Sequence, residues 1–124
     1  MSLQHPLARV KGLGASGEGS HHWWLQRTSA LTLIPLSIWF VFSILQRIGE
    51  EQVSIQSWIA EPMVALLLTL YLVFMFFHGQ LGLQVVIEDY VHGKRKRMTL
   101  LLVVKGAMIF AALASIFSVL RIAL

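Results

Sequence analysis

The sequence predicts an all-α membrane protein with three transmembrane helices, its N-terminus cytoplasmic and its C-terminus periplasmic. Its 124 residues are 56% hydrophobic and only 13% charged, with a mean hydropathy of +0.71, a balance that soluble domains of this size rarely reach. Three apolar stretches, about 28–48, 62–87 and 98–123, are long enough to cross a bilayer, because roughly 20 residues at about 1.5 Å rise span a core of about 30 Å. Charge then alternates along the connections. The N-terminal segment carries Arg9, Lys11 and Arg27 against Glu18, and the first connection has Arg47 against Glu50, Glu51 and Glu61. The second connection gathers Lys94, Arg95, Lys96 and Arg97 against Glu88 and Asp89. Basic connections stay on the cytoplasmic side, so the N-terminus and second connection lie inside, and the first connection and C-terminus outside.

Taken in order, residues 1–20 read as a flexible cytoplasmic tail, rich in glycine and serine and lacking the apolar core of a secretory signal. Residues 21–124 form one membrane domain. Trp23 and Trp24 precede the first span and Trp58 precedes the second, where amphipathic rings favour the interface. Pro35 interrupts the hydrogen-bond ladder of the first span, and hydroxyls such as Thr32 can bond the carbonyls it frees. Pro62 suits the first turn of the second helix, where its missing N–H costs little. His92-Gly93 breaks the chain before the third span. Lys105 and Arg121 sit near opposite ends of that span and can extend their charges to the two interfaces.

Several classes are excluded. The apolar runs LLLTLYLVFMFF and LLLVVKGAMIFAALA do not alternate as transmembrane β-strands would. With no cysteine, the chain forms no disulfide and ligates no iron–sulfur cluster. The net charge of +4 is accounted for by basic residues gathered on one side of a bilayer, with no nucleic-acid partner implied.

The chemistry concentrates in FFHGQLGLQVVIEDYVHGKRKR, Phe76 to Arg97. His78 precedes Asp89 by about eleven residues, or roughly 16 Å along a helix, which sets it near the bilayer midplane, too deep to reach water. An imidazole there either bonds a neighbouring helix or ligates a metal such as haem iron. Gly79 and Gly82 let a helix or a flat macrocycle approach, and Gln80 and Gln84 indicate a face turned to a partner. Tyr90 is either an interfacial ring or, beside Asp89, a phenol placed to bond a quinone carbonyl. Glu88 reads as a solvated charge. Arg27 either anchors the first helix to headgroups or pairs with a carboxylate such as a haem propionate. His21 and His22, without further ligands, read as interfacial polar residues.

The HWWLQRTSA entry to the first span, His78 followed by the Asp89-Tyr90 pair, and the basic connection together resemble the hydrophobic membrane anchor subunit of succinate dehydrogenase, the D-type subunit of respiratory complex II. The resemblance covers about residues 19–124. It implies a second three-helix subunit, the cytochrome b (C-type) subunit, with one haem b shared between the two. On that resemblance His78 is an axial ligand of the haem iron, Arg27 meets a haem propionate, and Asp89 and Tyr90 border the ubiquinone site. Iron–sulfur and flavoprotein subunits would be the catalytic partners, leaving this chain with no complete active site of its own. A multi-pass position in a bacterial inner membrane, in contact with lipid, is implied too. The alternatives are the anchor of a fumarate reductase or another quinone-linked oxidoreductase, and a structural or transport protein without haem.

Overall fold

The computed structural model describes Leu7 and residues 16–124. It contains four principal helices: α1 (Ser16–Leu45), α2 (Gln52–Ala60), α3 (Pro62–Tyr90) and α4 (Lys94–Ala123). No strand occurs among the described residues. Gly19–Leu45, Pro62–Tyr90 and Lys94–Ala123 are each long and apolar enough to cross a membrane. Most of the expected tail, residues 1–20, lies outside the described residues, and Ser16 onward is already helical.

The spans begin and end differently from the hydropathy reading, for local reasons. α1 starts about three turns before Thr28, so Arg27 lies well inside a helix and not at its entry. It continues through Pro35, and the Thr32 hydroxyl bonds the carbonyl of Thr28 at 3.0 Å rather than that of Leu31, the one proline leaves without its usual donor. After a closing turn, Gly49 at φ 89° is the only described residue with positive φ, a conformation glycine adopts without penalty. The first connection then forms α2, whose Ile55, Trp58 and Ile59 follow the spacing of one helical face. At the other end, α3 runs on to Tyr90 and the basic run Lys94–Arg97 is itself the first turn of α4.

α3 is the centre of the arrangement. It packs against α1 and against α4, whereas α1 and α4 make no close backbone approach to one another, and α2 closes the far end against α3 and α4. That end holds the only hydrophobic cluster of buried residues among those described, Trp58, Val64 and Leu68, with Trp39, Phe40, Ile59 and Val119 packed around it. Trp58 is buried, with the Arg47 guanidinium 4.1 Å above its ring and Trp39 at 6.4 Å. Arg47 is held in place by donating from Nη1 to the Ser43 carbonyl at 2.9 Å.

Little else is enclosed. Of the most apolar stretch of each span, 6% is buried in α1, 17% in α3 and none in α4, so lipid or another subunit must cover the remainder. Truncating the one well-packed aromatic is correspondingly costly. Trp58→Ala is expected to destabilise the chain by about 3 kcal/mol, and Trp58→Phe by roughly half as much. Thermal denaturation in detergent checks this; equal loss in both variants would remove the ring-packing account.

Candidate functional site

Midway along the contact between α1 and α3, the ring of His78 meets the hydroxyl of Ser29, with Nδ1 2.9 Å from Oγ. Ser29 is 2% exposed and is the only buried polar residue among those described. Its hydroxyl also donates to the Gln26 carbonyl at 3.0 Å, one turn back along α1. The interhelical hydrogen bond offered by one reading of His78 is therefore present. It occupies one ring nitrogen and leaves the other.

Beside the ring lies a cavity of about 400 Å³ lined by Trp23, Gln26, Arg27, Ala30 and His78. The early start of α1 creates it: Arg27 is two residues from Ser29, which fixes it close to the level of His78. Arg27 is exposed, with its guanidinium 5.4 Å from the centre of the Trp23 ring. An imidazole and a guanidinium, anticipated separately, thus line one recess. A cation on its rim suits a carboxylate, and a ring nitrogen without a partner in the chain suits a metal held mainly by other groups.

The glycines divide in role. A methyl group on Gly79 would meet Met108 Cε of α4 at 3.8 Å, an ordinary contact, while one on Gly82 would meet nothing within 4 Å. Gly79 therefore belongs to the α3–α4 packing and Gly82 faces open space one turn from His78. The glutamines divide likewise. Gln84 donates to Glu88 at 2.9 Å along α3, and Gln80 lines a separate recess with Phe76, Phe77 and Met108.

Asp89 and Tyr90 lie about 16 Å further along α3, in its last turn, and do not join the His78 recess. Both are exposed, Tyr90 by 79%, and neither side chain hydrogen-bonds another described residue. The peptide carbonyl of Tyr90 accepts from His92 Nδ1 at 3.2 Å, which ties the break after α3 to its last turn. Lys105 and Arg121 are exposed on α4. Arg121 lines a cavity of about 690 Å³ with Gln56, Ser57 and Ser118 at the far end. Among the described residues no group of three or more His, Asp or Glu could hold an ion, His21 and His22 included. Sequence reasoning passed over Ser29, Gln26 and Ala30. The available signal was a small hydroxyl two residues inside the span from Arg27, since serine and threonine are favoured where membrane helices touch.

Comparison with known proteins places this geometry in context. Residues 1–114 match the family model described as the succinate dehydrogenase/fumarate reductase transmembrane subunit. The succinate dehydrogenase hydrophobic membrane anchor subunit of Rickettsia bellii is 34% identical over 114 residues, covering 91% of this chain and 90% of that protein. The subunit of that name from Rickettsia felis is 38% identical over 94 residues, covering 73% and 76%. That of Paracoccus denitrificans is 30% identical over 108 residues, covering 86% and 84%. No solved structure matches.

The two glycines provide a test of which face awaits a partner. Gly79→Ala is expected to be tolerated, with normal recovery of co-purifying subunits. Gly82→Leu is expected to leave the chain inserted and helical, because leucine favours helix over glycine by about 0.8 kcal/mol, while reducing that recovery several-fold. Unimpaired recovery with Gly82→Leu would make the open face a lipid face.

Proposed function

The chain belongs to the succinate dehydrogenase membrane anchor family, and on that premise we propose that it supplies half of a haem b site and part of a ubiquinone site, and fixes the flavoprotein and iron–sulfur subunits to the membrane. The observation that carries the haem half is the His78 ring, bonded through one nitrogen to α1 and lining a recess whose rim bears Arg27. These residues suit the group. His78 would contribute the ligand nitrogen, Arg27 would pair with a propionate, and the open space at Gly82 would admit the macrocycle edge or the partner's helix. When bound, haem supplies a one-electron centre within the membrane. The rest of the site would come from the cytochrome b subunit, a reading supported by α3 packing against α1 and α4 while those two make no close approach to one another.

The quinone half rests on Asp89 and Tyr90. Their exposure at the end of α3, beside the basic start of α4, leaves a phenol and a carboxylate available to groups from outside the chain. Tyr90 would donate from its hydroxyl to a quinone carbonyl, and Asp89 would orient that hydroxyl or pass on a proton as the quinone is reduced. The rest of the pocket belongs to the neighbouring subunits. The same basic turn would face the cytoplasm, where Lys94–Arg97 can meet anionic lipid or the iron–sulfur subunit. In a bacterium the corresponding membrane would be the inner one; the relatives named as succinate dehydrogenase subunits support succinate oxidation over fumarate reduction, and on this reading the complex would serve the tricarboxylic acid cycle and the aerobic respiratory chain.

Reduced-minus-oxidised absorption spectra of the assembled complex test the haem half. A b-type signal is expected in the parent complex and its loss or alteration in His78→Ala; an unchanged signal in the variant would remove His78 as a ligand. For Tyr90→Phe, quinone reduction is expected to fall at least about tenfold, the worth of about 1.4 kcal/mol, while succinate oxidation by a soluble artificial acceptor continues. Parallel loss with both acceptors would place the defect elsewhere.

A further inference from the structure

We propose that Ser29 is a positioning residue for haem ligation, holding His78 with its proton on Nδ1 so that the Nε2 lone pair is free for iron. The inference rests on the assignment of His78 as a ligand and adds what decides which nitrogen it presents. A serine hydroxyl has one hydrogen and two lone pairs. The hydrogen of Ser29 goes to the Gln26 carbonyl at 3.0 Å, an oxygen that can only accept. With the hydroxyl hydrogen assigned to that carbonyl, a lone pair of Oγ is left for His78 Nδ1 at 2.9 Å, and the proposal assigns the ring the tautomer that carries its proton on Nδ1. A neutral imidazole has a single N–H, so Nε2 is left unprotonated.

The relay Nδ1–H to Oγ–H to the Gln26 carbonyl has further effects. It crosses from α3 to α1 and so fixes the ring's orientation relative to the recess bearing Arg27. Each bond polarises the next, which draws the Nδ1 proton toward oxygen and makes the other nitrogen a stronger donor. A stronger donor favours ferric over ferrous iron. Ser29 is 2% exposed, so water has little access to replace its hydroxyl when it is removed. Thr28, the adjacent hydroxyl, bonds only the Trp24 and Leu25 carbonyls of its own helix and has no part in the relay.

The test compares Ser29→Ala, Ser29→Thr and Ser29→Val in the assembled complex, with Thr28→Val as control. The readouts are the haem midpoint potential and the low-spin ferric electron paramagnetic resonance signal. Threonine and valine have nearly the same shape and differ in the hydroxyl, so they separate hydrogen bonding from volume. Ser29→Ala and Ser29→Val are expected to shift the potential to more positive values and to alter the ferric signal. Ser29→Thr and Thr28→Val are expected to match the parent. Loss of haem from Ser29→Val with retention in Ser29→Thr would support the proposal equally. Indistinguishable threonine and valine variants would overturn it, whether both keep the parent potential or both fail to assemble. A parent complex without haem, or one whose haem is unaffected by His78→Ala, would instead overturn the ligand assignment itself.

Discussion

A side chain that can hydrogen-bond at two places must have both places satisfied when it lies in hydrocarbon, and the organisation around His78 follows from meeting that requirement only halfway. Ser29 bonds Nδ1. A hydrogen bond between membrane helices contributes about 0.6 kcal/mol on average and up to about 1.7, a small return for keeping an ionisable ring at that depth. If the bond were the purpose, an apolar pair would pack the same interface with less penalty. On the proposed reading the second nitrogen is the reason for the histidine, and the serine would be the device that keeps this nitrogen available. Arg27 lines the same recess, with its guanidinium near the Trp23 ring.

The rest of the chain is built around an equally incomplete surface. α3 is flanked by α1 and α4 without either closing over it, and among the described residues the only hydrophobic cluster of buried residues lies at the opposite end, around Trp58. This divides labour along the molecule. The far end is held by aromatic packing and by Arg47 over the Trp58 ring. The end carrying Arg27, Tyr90 and Lys94 is left with polar groups that have few partners within the chain. Four basic residues begin α4, where the helix dipole disfavours cations, so that turn too is stabilised by what lies outside it. On the proposed reading, such a chain is an anchor whose functional end would be completed on assembly.

Much of this was legible in the sequence because hydropathy is a local signal. The three spans follow from hydropathy, and the separation of Asp89-Tyr90 from His78 follows from spacing along one helix. The extension of α1 back to Ser16 was hidden by glycines and serines, which weaken helix propensity in Gly17–Ser20 without preventing helix formation. α2 was hidden by its polar residues, although Ile55, Trp58 and Ile59 carried its period. Ser29 was illegible for a different reason. Its partner is 49 residues away, and a small hydroxyl in an apolar run shows nothing of what it faces. The shared recess of Arg27 and His78 needed the packing of α1 on α3 before it could be seen.

A density map of the assembled complex at a resolution that shows side chains tests the central claim most directly. The account predicts a planar macrocycle at the α1–α3 recess, with iron bound by Nε2 of His78 and by a residue of the second membrane subunit, and with Nδ1 still bonded to Ser29. A map in which this recess is filled by lipid or by a partner's side chains, with both nitrogens of His78 hydrogen-bonded to protein, would contradict it.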